Sequence, residues 1–390
     1  MKAVVCRETR LEVEDLPDPV PGPGQVLLEV VRGGICGSDL HARNHADQLA
    51  DLASAIGYHD VMRPHEDVVM GHEFSGRVLD YGPATRKPWR TGTPVVSLPM
   101  IRMGEQVQMT GLSAKAPGAY AERVLVQESL TMDVPNGLAP ETAALTEPMA
   151  VAWHAVRRSG VRRRETAVVI GCGPIGLAVI LMLKARGVKK VIASDFSRGR
   201  RALAGQCGAD VVIDPGAESG DPSPWTSFED SRYITDANDL FDLALDTMGK
   251  LRRVPKLPWW QVLRAAEVVG ATPTGPVVFE CVGVPGIIDQ IVNQAPLASR
   301  VVVVGVCMEP DTFQPAMAIN KEIDLRFVFA YQPHEFRESL HLIAEGKVDP
   351  TPLVTGTVGL EGVAGAFDVL GDPERHAKIL IDPASSVTVV

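Results

Sequence analysis

The stretch AVVIGCGPIGLAVILMLKARG, residues 167–187, limits what this chain can fold into more than any other. Its first four residues are apolar with no polar alternation. A strand of that kind must be buried on both faces, as strands are in parallel sheets covered by helices. The run breaks at Gly171-Cys172-Gly173-Pro174-Ile175-Gly176 and resumes as an apolar helix. A GxGxxG pattern is weak alone and becomes informative when a strand precedes it and a helix follows. The first glycine permits the tight turn, the second lets a pyrophosphate approach the backbone, and the third lets helix and strand pack closely. The phosphates would then meet unpaired N–H groups at the positive end of the helix dipole. VKKVIASD follows as a second strand and ends on Asp195, 19 residues past Gly176. A carboxylate there accepts hydrogen bonds from the adenosine ribose and repels a 2′-phosphate, so NAD is expected in preference to NADP. Arg198, Arg200 and Arg201 argue in the other direction. They read as an exposed helix start, or as one arginine, Arg200, lying against the adenosine.

Strand and helix signals continue to alternate through RGRRALAGQCG, ADVVID, PVVFECVG (276–283), RVVVVGV (300–306) and DLRFVFA (324–330). The pattern predicts an α/β domain with a doubly wound parallel sheet. Residues 1 to about 150 have a different texture. Short β-like runs such as QVLLEVVRGGIC, EFSGRVLDYG and YAERVLVQ are broken by Gly and Pro, which predicts a mostly β domain. The tail offers a helix near HEFRESLHLIAEG and a last strand near AKILID. Two stretches look inserted. One covers 44–63 and carries His45, Tyr58 and His59. The other runs from about 216 to 275. It opens polar, with GAESGDPSPWTSFEDS, and continues as two helical runs, DANDLFDLALDTMG and WWQVLRAAEVVG. Leu240, Phe241, Ala244, Leu245 and Met248 fall at helical spacing. These helices are expected on the domain surface or at a subunit contact, with a substrate lid as the sharper alternative.

Composition removes several classes of function. The 390 residues carry a net charge of −10, and the densest basic run is Arg162–Arg164, so nucleic-acid binding has no footprint. The N-terminus, MKAVVCRETRLEVEDLP, reads as a strand and a charged hairpin without the apolar core of a signal peptide. No apolar run reaches the length of a membrane span. Six cysteines are scattered without CxxC spacing, which predicts a reducing cytoplasm and no disulfide framework.

The chemistry concentrates in three short stretches. GGICGSDLHARN (33–44) brings Cys36, Ser38, Asp39 and His41 together; Gly71-His72-Glu73 and Thr146-Glu147-Pro148 follow. One thiolate, one imidazole and one carboxylate from separate segments make a three-ligand zinc site, leaving a fourth position for water or substrate. Each also has a plainer reading: a small buried cysteine, an ordinary core or surface histidine, a glutamate capping a helix. A thiol enzyme with Cys36 as nucleophile and His41 as base fits the first stretch in isolation, but leaves the nucleotide loop unexplained.

Taken in order, GGICGSDLH, GHEFSGRV, the EPMAV helix start and IGCGPIG with its distant Asp195 resemble the zinc-dependent medium-chain dehydrogenase/reductase family. The resemblance spans nearly the whole chain, through ECVG, VVVVGV and KEIDLRF…HLIAEGKVDP…AFDVL…KILID. It is nearest to the polyol (sorbitol) and threonine dehydrogenase branch, because Glu147 stands where other alcohol dehydrogenases use a second cysteine. The resemblance implies a GroES-like catalytic domain over 1–150, completed by 332–390. It also implies a Rossmann domain over 151–331 and an active site in the cleft between them. Cys36 and His72 would be metal ligands. Glu147 would be the third ligand or a carboxylate holding the zinc-bound water, and Glu73 a carboxylate behind the metal, able to enter its shell. Asp39 would orient the ligand histidine, Ser38 would receive the substrate proton and His41 would end the relay near solvent. His45, His59 and His65 match nothing and read as loop histidines.

One departure stands out. The lobe that often holds a structural zinc reads PMIRMGEQVQMTGLSAKAPGAYAE, with no cysteine between Cys36 and Cys172. One catalytic zinc and no structural zinc are therefore expected. The 44–63 insertion lengthens the interval from Cys36 to His72 and bears on the rim of the substrate pocket. The implied activity is reversible hydride transfer between NAD and a small secondary alcohol or polyol, giving a ketone or aldehyde, in a homodimer or homotetramer. A zinc-free quinone or enone reductase of the same superfamily would usually lack Cys36 and Glu147. A non-catalytic NAD-binding protein would need no ligand trio.

Overall fold

Strand Thr166–Ile170 lies inside a six-stranded parallel sheet and is buried over four of its five residues. The computed structural model describes residues 1–216, 225 and 233–390. The sheet runs in the order Val211–Ile213, Lys190–Ser194, Thr166–Ile170, Val277–Glu280, Arg300–Val303, Asp324–Phe327. The first strand in sequence is thus central, and the chain winds outward to both sides, which opens a crevice beyond the strand ends where the direction reverses. Apolar residues on both faces of Thr166–Ile170 make this possible: Ala167 and Val169 join one core cluster and Val168 another. Helix Pro174–Ala185 contributes Leu177, Val179, Ile180 and Leu183 to the first.

The N-terminal part is built on the long strand Gln25–Gly34. It pairs antiparallel with Glu73–Tyr81 and Arg123–Gln127. Val26, Leu28 and Val30 point inward against Phe74 and Val78, the period-two pattern of a half-buried strand. The far end of the same strand receives Lys378–Ile381, with Gly34 opposite Leu380 and Gly33 opposite Ile381. The last strand of the chain is therefore fastened beside the segment that leads into Cys36. The expected N-terminal hairpin is present, Lys2–Arg7 against Arg10–Asp15.

The sequence reading assigns no element to 44–63; the structure forms helix Ala46–Ala55 there, with Ala46 and Ala50 buried. Residues beyond it reach the cysteine-free lobe, which is a strand pair, Met100–Met103 with Gln106–Met109. The Gln108 amide, fully buried, donates to Asp60 (2.7 Å) and accepts from the Ser113 hydroxyl (2.9 Å). The Met109 N–H donates to the Tyr58 hydroxyl at 3.0 Å. The lobe is thus held by a satisfied polar network to which the insertion supplies two members. His45, His59 and His65 are exposed.

Most of the polar run GAESGDPSPWTSFEDS lies outside the described residues. The two helices that follow it are Ala237–Arg253 and Trp259–Val268. Asp236 caps the first by accepting from Asn238 N at 2.7 Å, and Lys250, Arg252 and Arg253 complement its dipole at the other end. No residue of either helix is buried. Phe241 and Leu245 stand 61 % and 72 % exposed, so these helices lie on the surface. Among the described residues no helix is long and apolar enough to cross a membrane.

Candidate metal centre and dinucleotide cleft

Cys36 ends the turn after Gln25–Gly34 and is the N-cap of helix Gly37–Asn44. Its N–H donates to Asp39 Oδ2 at 2.9 Å. Asp39 is completely buried, and the Tyr120 hydroxyl donates to the same oxygen at 2.6 Å. Its other oxygen, Oδ1, lies 3.1 Å from His72 Nδ1. Burial works to raise the Asp39 carboxyl, but the adjacent His72 charge and the hydrogen bonds from Tyr120 and Cys36 outweigh it and hold it low. On His72 burial pulls downward, and the Asp39 carboxylate wins, so the imidazole is raised well above its ordinary value. The opposite ring nitrogen, Nε2, is turned toward Ser38 Oγ at 3.3 Å.

His72 owes its position to the residue before it. Gly71 has φ +103°, and a Cβ there would lie 2.5 Å from the Tyr120 ring. Only glycine accepts both the left-handed backbone and that approach. Glu73 starts the next strand, fully buried. Its two oxygens meet Lys378 Nζ at 2.7 and 2.5 Å, and the same ammonium donates to Ile35 O at 3.0 Å. The ligand atoms of Cys36, His72 and Glu73 all lie within 4.8 Å of one another. A thiol, an imidazole and a carboxylate converging from two segments are a donor set that zinc takes up. The carboxylate behind the imidazole is the partner that fixes a metal-ligating histidine.

Glu147, on the first turn of helix Thr146–Ser159, is buried beside this group without joining the trio. Its carboxyl is pushed up to about 7, by burial first and by the Glu73 charge next, against His72 and Lys378. The Tyr331 hydroxyl is buried nearby without a hydrogen-bond partner. Burial, and then Glu147, push that phenol well up. His41, on the helix that begins after Cys36, is half-buried; burial and then the His45 charge lower it.

The glycine loop is as tight as its pattern demands. Gly171 has φ +88°, and a Cβ on Gly176 would lie 1.9 Å from Gly171 O. Gly173 caps helix Pro174–Ala185, and Pro174 and Ile175 form its first turn. Asp195 is buried, accepting from Cys172 N at 2.6 Å and from Ser197 N at 2.7 Å. It therefore ties the loop to the start of the next helix. The Arg200 guanidinium lies 3.9 Å from where a Gly173 Cβ would be, and its Nε is buried without a partner. Arg201 is occupied differently, paired with Asp214 at 2.8 Å and donating to Asp195 O and Phe196 O. Arg198 is exposed. Gln48, in the 44–63 insertion, donates to Met308 O, so the insertion touches the segment that follows strand Arg300–Val303.

Tyr120, Lys378 and Tyr331 were not singled out by the sequence. The signal for Lys378 was the charge inside the otherwise apolar AKILI, because a lysine on a buried strand needs a partner. Tyr120 and Tyr331 carry no local signal, since only the tertiary structure brings them to Asp39 and Glu147.

The chain is similar to known proteins over nearly its whole length. The alcohol dehydrogenase GroES-like domain family matches residues 22–136, and the zinc-binding dehydrogenase family matches 174–254 and 265–345. The (R,R)-butanediol dehydrogenase of Bacillus subtilis is 29 % identical over 384 residues, covering 96 % of each chain. Its crystal structure superposes with a TM-score of 0.72 over 98 % of this chain and 99 % of that one. Sorbitol dehydrogenase of Bos taurus is 28 % identical over 369 residues, 92 % of this chain and 89 % of the relative. A zinc-binding dehydrogenase of Sinorhizobium meliloti bound to NADP is 25 % identical, with a TM-score of 0.72 and coverage of 98 % and 99 %.

Proposed function

Since this chain belongs to the zinc-dependent medium-chain alcohol dehydrogenase family, on its polyol dehydrogenase side, we propose that it oxidises a secondary alcohol or polyol with NAD and one zinc ion. The chain is an oxidoreductase of alcohol donors. The finer assignment rests on one observation, the convergence of Cys36, His72 and Glu73 within 4.8 Å. Those three would hold the metal, with Glu147 at the remaining face. Residues 1–150 with 332–390 form the catalytic unit and 151–331 the nucleotide unit in this reading. It is supported by the pairing of Lys378–Ile381 with Gln25–Gly34. No second zinc is invoked, because the lobe at 100–120 carries no cysteine. NAD is favoured by Asp195, whose buried carboxylate stands at the end of the second strand. The exposed Phe327 and Phe329 beside the edge strand Asp324–Phe327 favour a homo-oligomer.

Bound in these places, zinc would supply Lewis acidity at the alcohol oxygen and nicotinamide would supply the hydride acceptor. The chain's own groups do the remainder. Asp39 keeps His72 oriented with Nε2 toward the substrate side. Ser38 Oγ, 3.3 Å from that nitrogen, is the hydroxyl placed to take the alcohol proton. His41, held low by burial, would take that proton on and return it to solvent. The test is Cys36→Ala and His72→Ala. Each should lose bound zinc and turnover and still bind NADH. Near-normal turnover in either would overturn the reading, and a screen of NAD reduction over diols, polyols and secondary alcohols would identify the substrate.

A further inference from the structure

The helix after Asp195 does not present a free N-terminus to the cofactor. Ser197 caps it by accepting from Arg200 N at 3.0 Å. The two N–H groups that follow are already taken by a carboxylate from the far end of the chain. Arg198 N donates to Glu374 Oε1 and Gly199 N to Oε2, each at 3.1 Å. The Ser197 hydroxyl donates to Pro373 O at 3.0 Å. The approach is close enough to dictate sequence, since a Cβ on Gly199 would lie 2.6 Å from Glu374 O. Glu374 is itself pinned, its N–H donating to Asp372 Oδ1 at 3.0 Å.

We propose that Glu374 is a specificity-determining residue that makes this cofactor site reject a 2′-phosphate. The inference rests on the dinucleotide reading above and goes beyond the choice already made by Asp195. Asp195 Oδ1 accepts from Ser197 N, so the ribose hydroxyls it recognises lie beside the first turn of this helix. A phosphate on the 2′-oxygen would extend toward the N–H groups that a helix N-terminus offers to anions. Here a carboxylate holds those N–H groups. The phosphate would meet Asp195 and Glu374 together and find the donors spent. The hydrogen bonds from the Gly199 and Arg198 N–H groups hold the Glu374 carboxyl below the usual range, so the blocking group is charged at neutral pH. Arg201 offers no relief, because Asp214 and two carbonyls engage it. Arg200 lies over Gly173, on the pyrophosphate side. A relative that binds NADP on the same fold shows that the family scaffold admits the phosphate. In this chain the exclusion comes from a residue 176 positions away from the helix it caps.

The experiment is a fluorescence titration of the full-length protein with NADH and NADPH, on the wild type, Glu374→Gln and Glu374→Ala. Inhibition by 5′-AMP and 2′,5′-ADP provides a second readout. Gln keeps the shape and an acceptor but removes the charge; Ala also frees both N–H groups. NADPH affinity should rise about tenfold in Glu374→Ala and less in Glu374→Gln, the size expected for one charge-assisted hydrogen bond. NADH affinity should change by less than about threefold, and 2′,5′-ADP should gain against 5′-AMP. An equal change for both cofactors would make Glu374 only a clasp between segments and overturn the proposal. Unchanged NADPH affinity would overturn it as well. A wild type that prefers NADPH would instead refute the NAD reading itself, before any variant is compared.

Discussion

Replacing Lys378 by methionine should destabilise the metal-free protein by about 3–5 kcal/mol, the loss expected when one partner of a buried ion pair is removed. The two side chains are 1 % and 0 % exposed, and the ammonium lies within 2.7 Å of both Glu73 oxygens. Methionine also abandons Ile35 O, an acceptor at 3.0 Å. Burial alone would lower the Lys378 amine, yet the charges of Glu73, Cys36 and Glu147 and the Glu73 hydrogen bond raise it overall. A raised amine contributes its full stabilisation below its unfolded pKa and loses it only as pH climbs through the folded value. Measurements at pH 7 therefore read the whole effect. At roughly 2–4 °C per kcal/mol for a unit of 150–250 residues, the melting temperature in EDTA should fall by about 6–20 °C. Adding Glu73→Gln should recover most of this, since the stranded carboxylate is then gone. Zinc should reduce the loss in the single variant, because a cation beside Glu73 takes over part of the lysine's task. A Lys378→Met protein within about 1 kcal/mol of wild type in EDTA would refute the argument that Glu73 is held as a buried anion.

The other expectations follow from neighbouring contacts. Tyr120→Phe removes the 2.6 Å hydrogen bond to Asp39 and should weaken zinc binding about 10–100-fold; unchanged affinity in chelator competition would mean that Asp39 needs no such brace. Glu147, raised from 4.5 to about 7, contributes stability below about pH 4.5 that is lost as pH rises through about 7. The metal-free wild type should therefore lose stability relative to Glu147→Gln between pH 5 and 8, and parallel denaturation profiles would contradict this. Gly176→Ala would force a methyl to within 1.9 Å of Gly171 O. It should cost NADH binding at least about tenfold with zinc content unchanged; normal NADH titration would show that the loop can rearrange.

The parts of the site that could be read directly are those whose geometry is local. The glycine loop announces itself because its strand, turn and helix are contiguous, and Asp195 lies one unit further on. Cys36, Ser38 and Asp39 share one turn, so their grouping was legible, and His72 and Glu73 entered through the family pattern. The parts that were not legible depend on chain segments far apart. Glu73 was read as a carboxylate near the metal, but its counter-ion lies 305 residues away. Helix Ala46–Ala55 was missed because its buried positions are alanines, which give little hydrophobic contrast in a short window. Glu374 reads as a surface charge in a polar turn, and only the folded chain shows what it caps.

The position of the last strand also bears on how the enzyme is made. Ribosomes add about 5–20 residues per second, so roughly 15–60 s separate the synthesis of Glu73 from that of Lys378, 305 residues later. Throughout that interval Cys36, His72 and Glu73 exist, while the edge of the sheet at Gly33 and Gly34 lacks its partner strand. Completion of the site thus waits for a strand made long after Cys36, His72 and Glu73. A nascent chain stalled, or a gene truncated, between Glu147 and Lys378 would carry all the metal-binding residues and still be unable to finish the site.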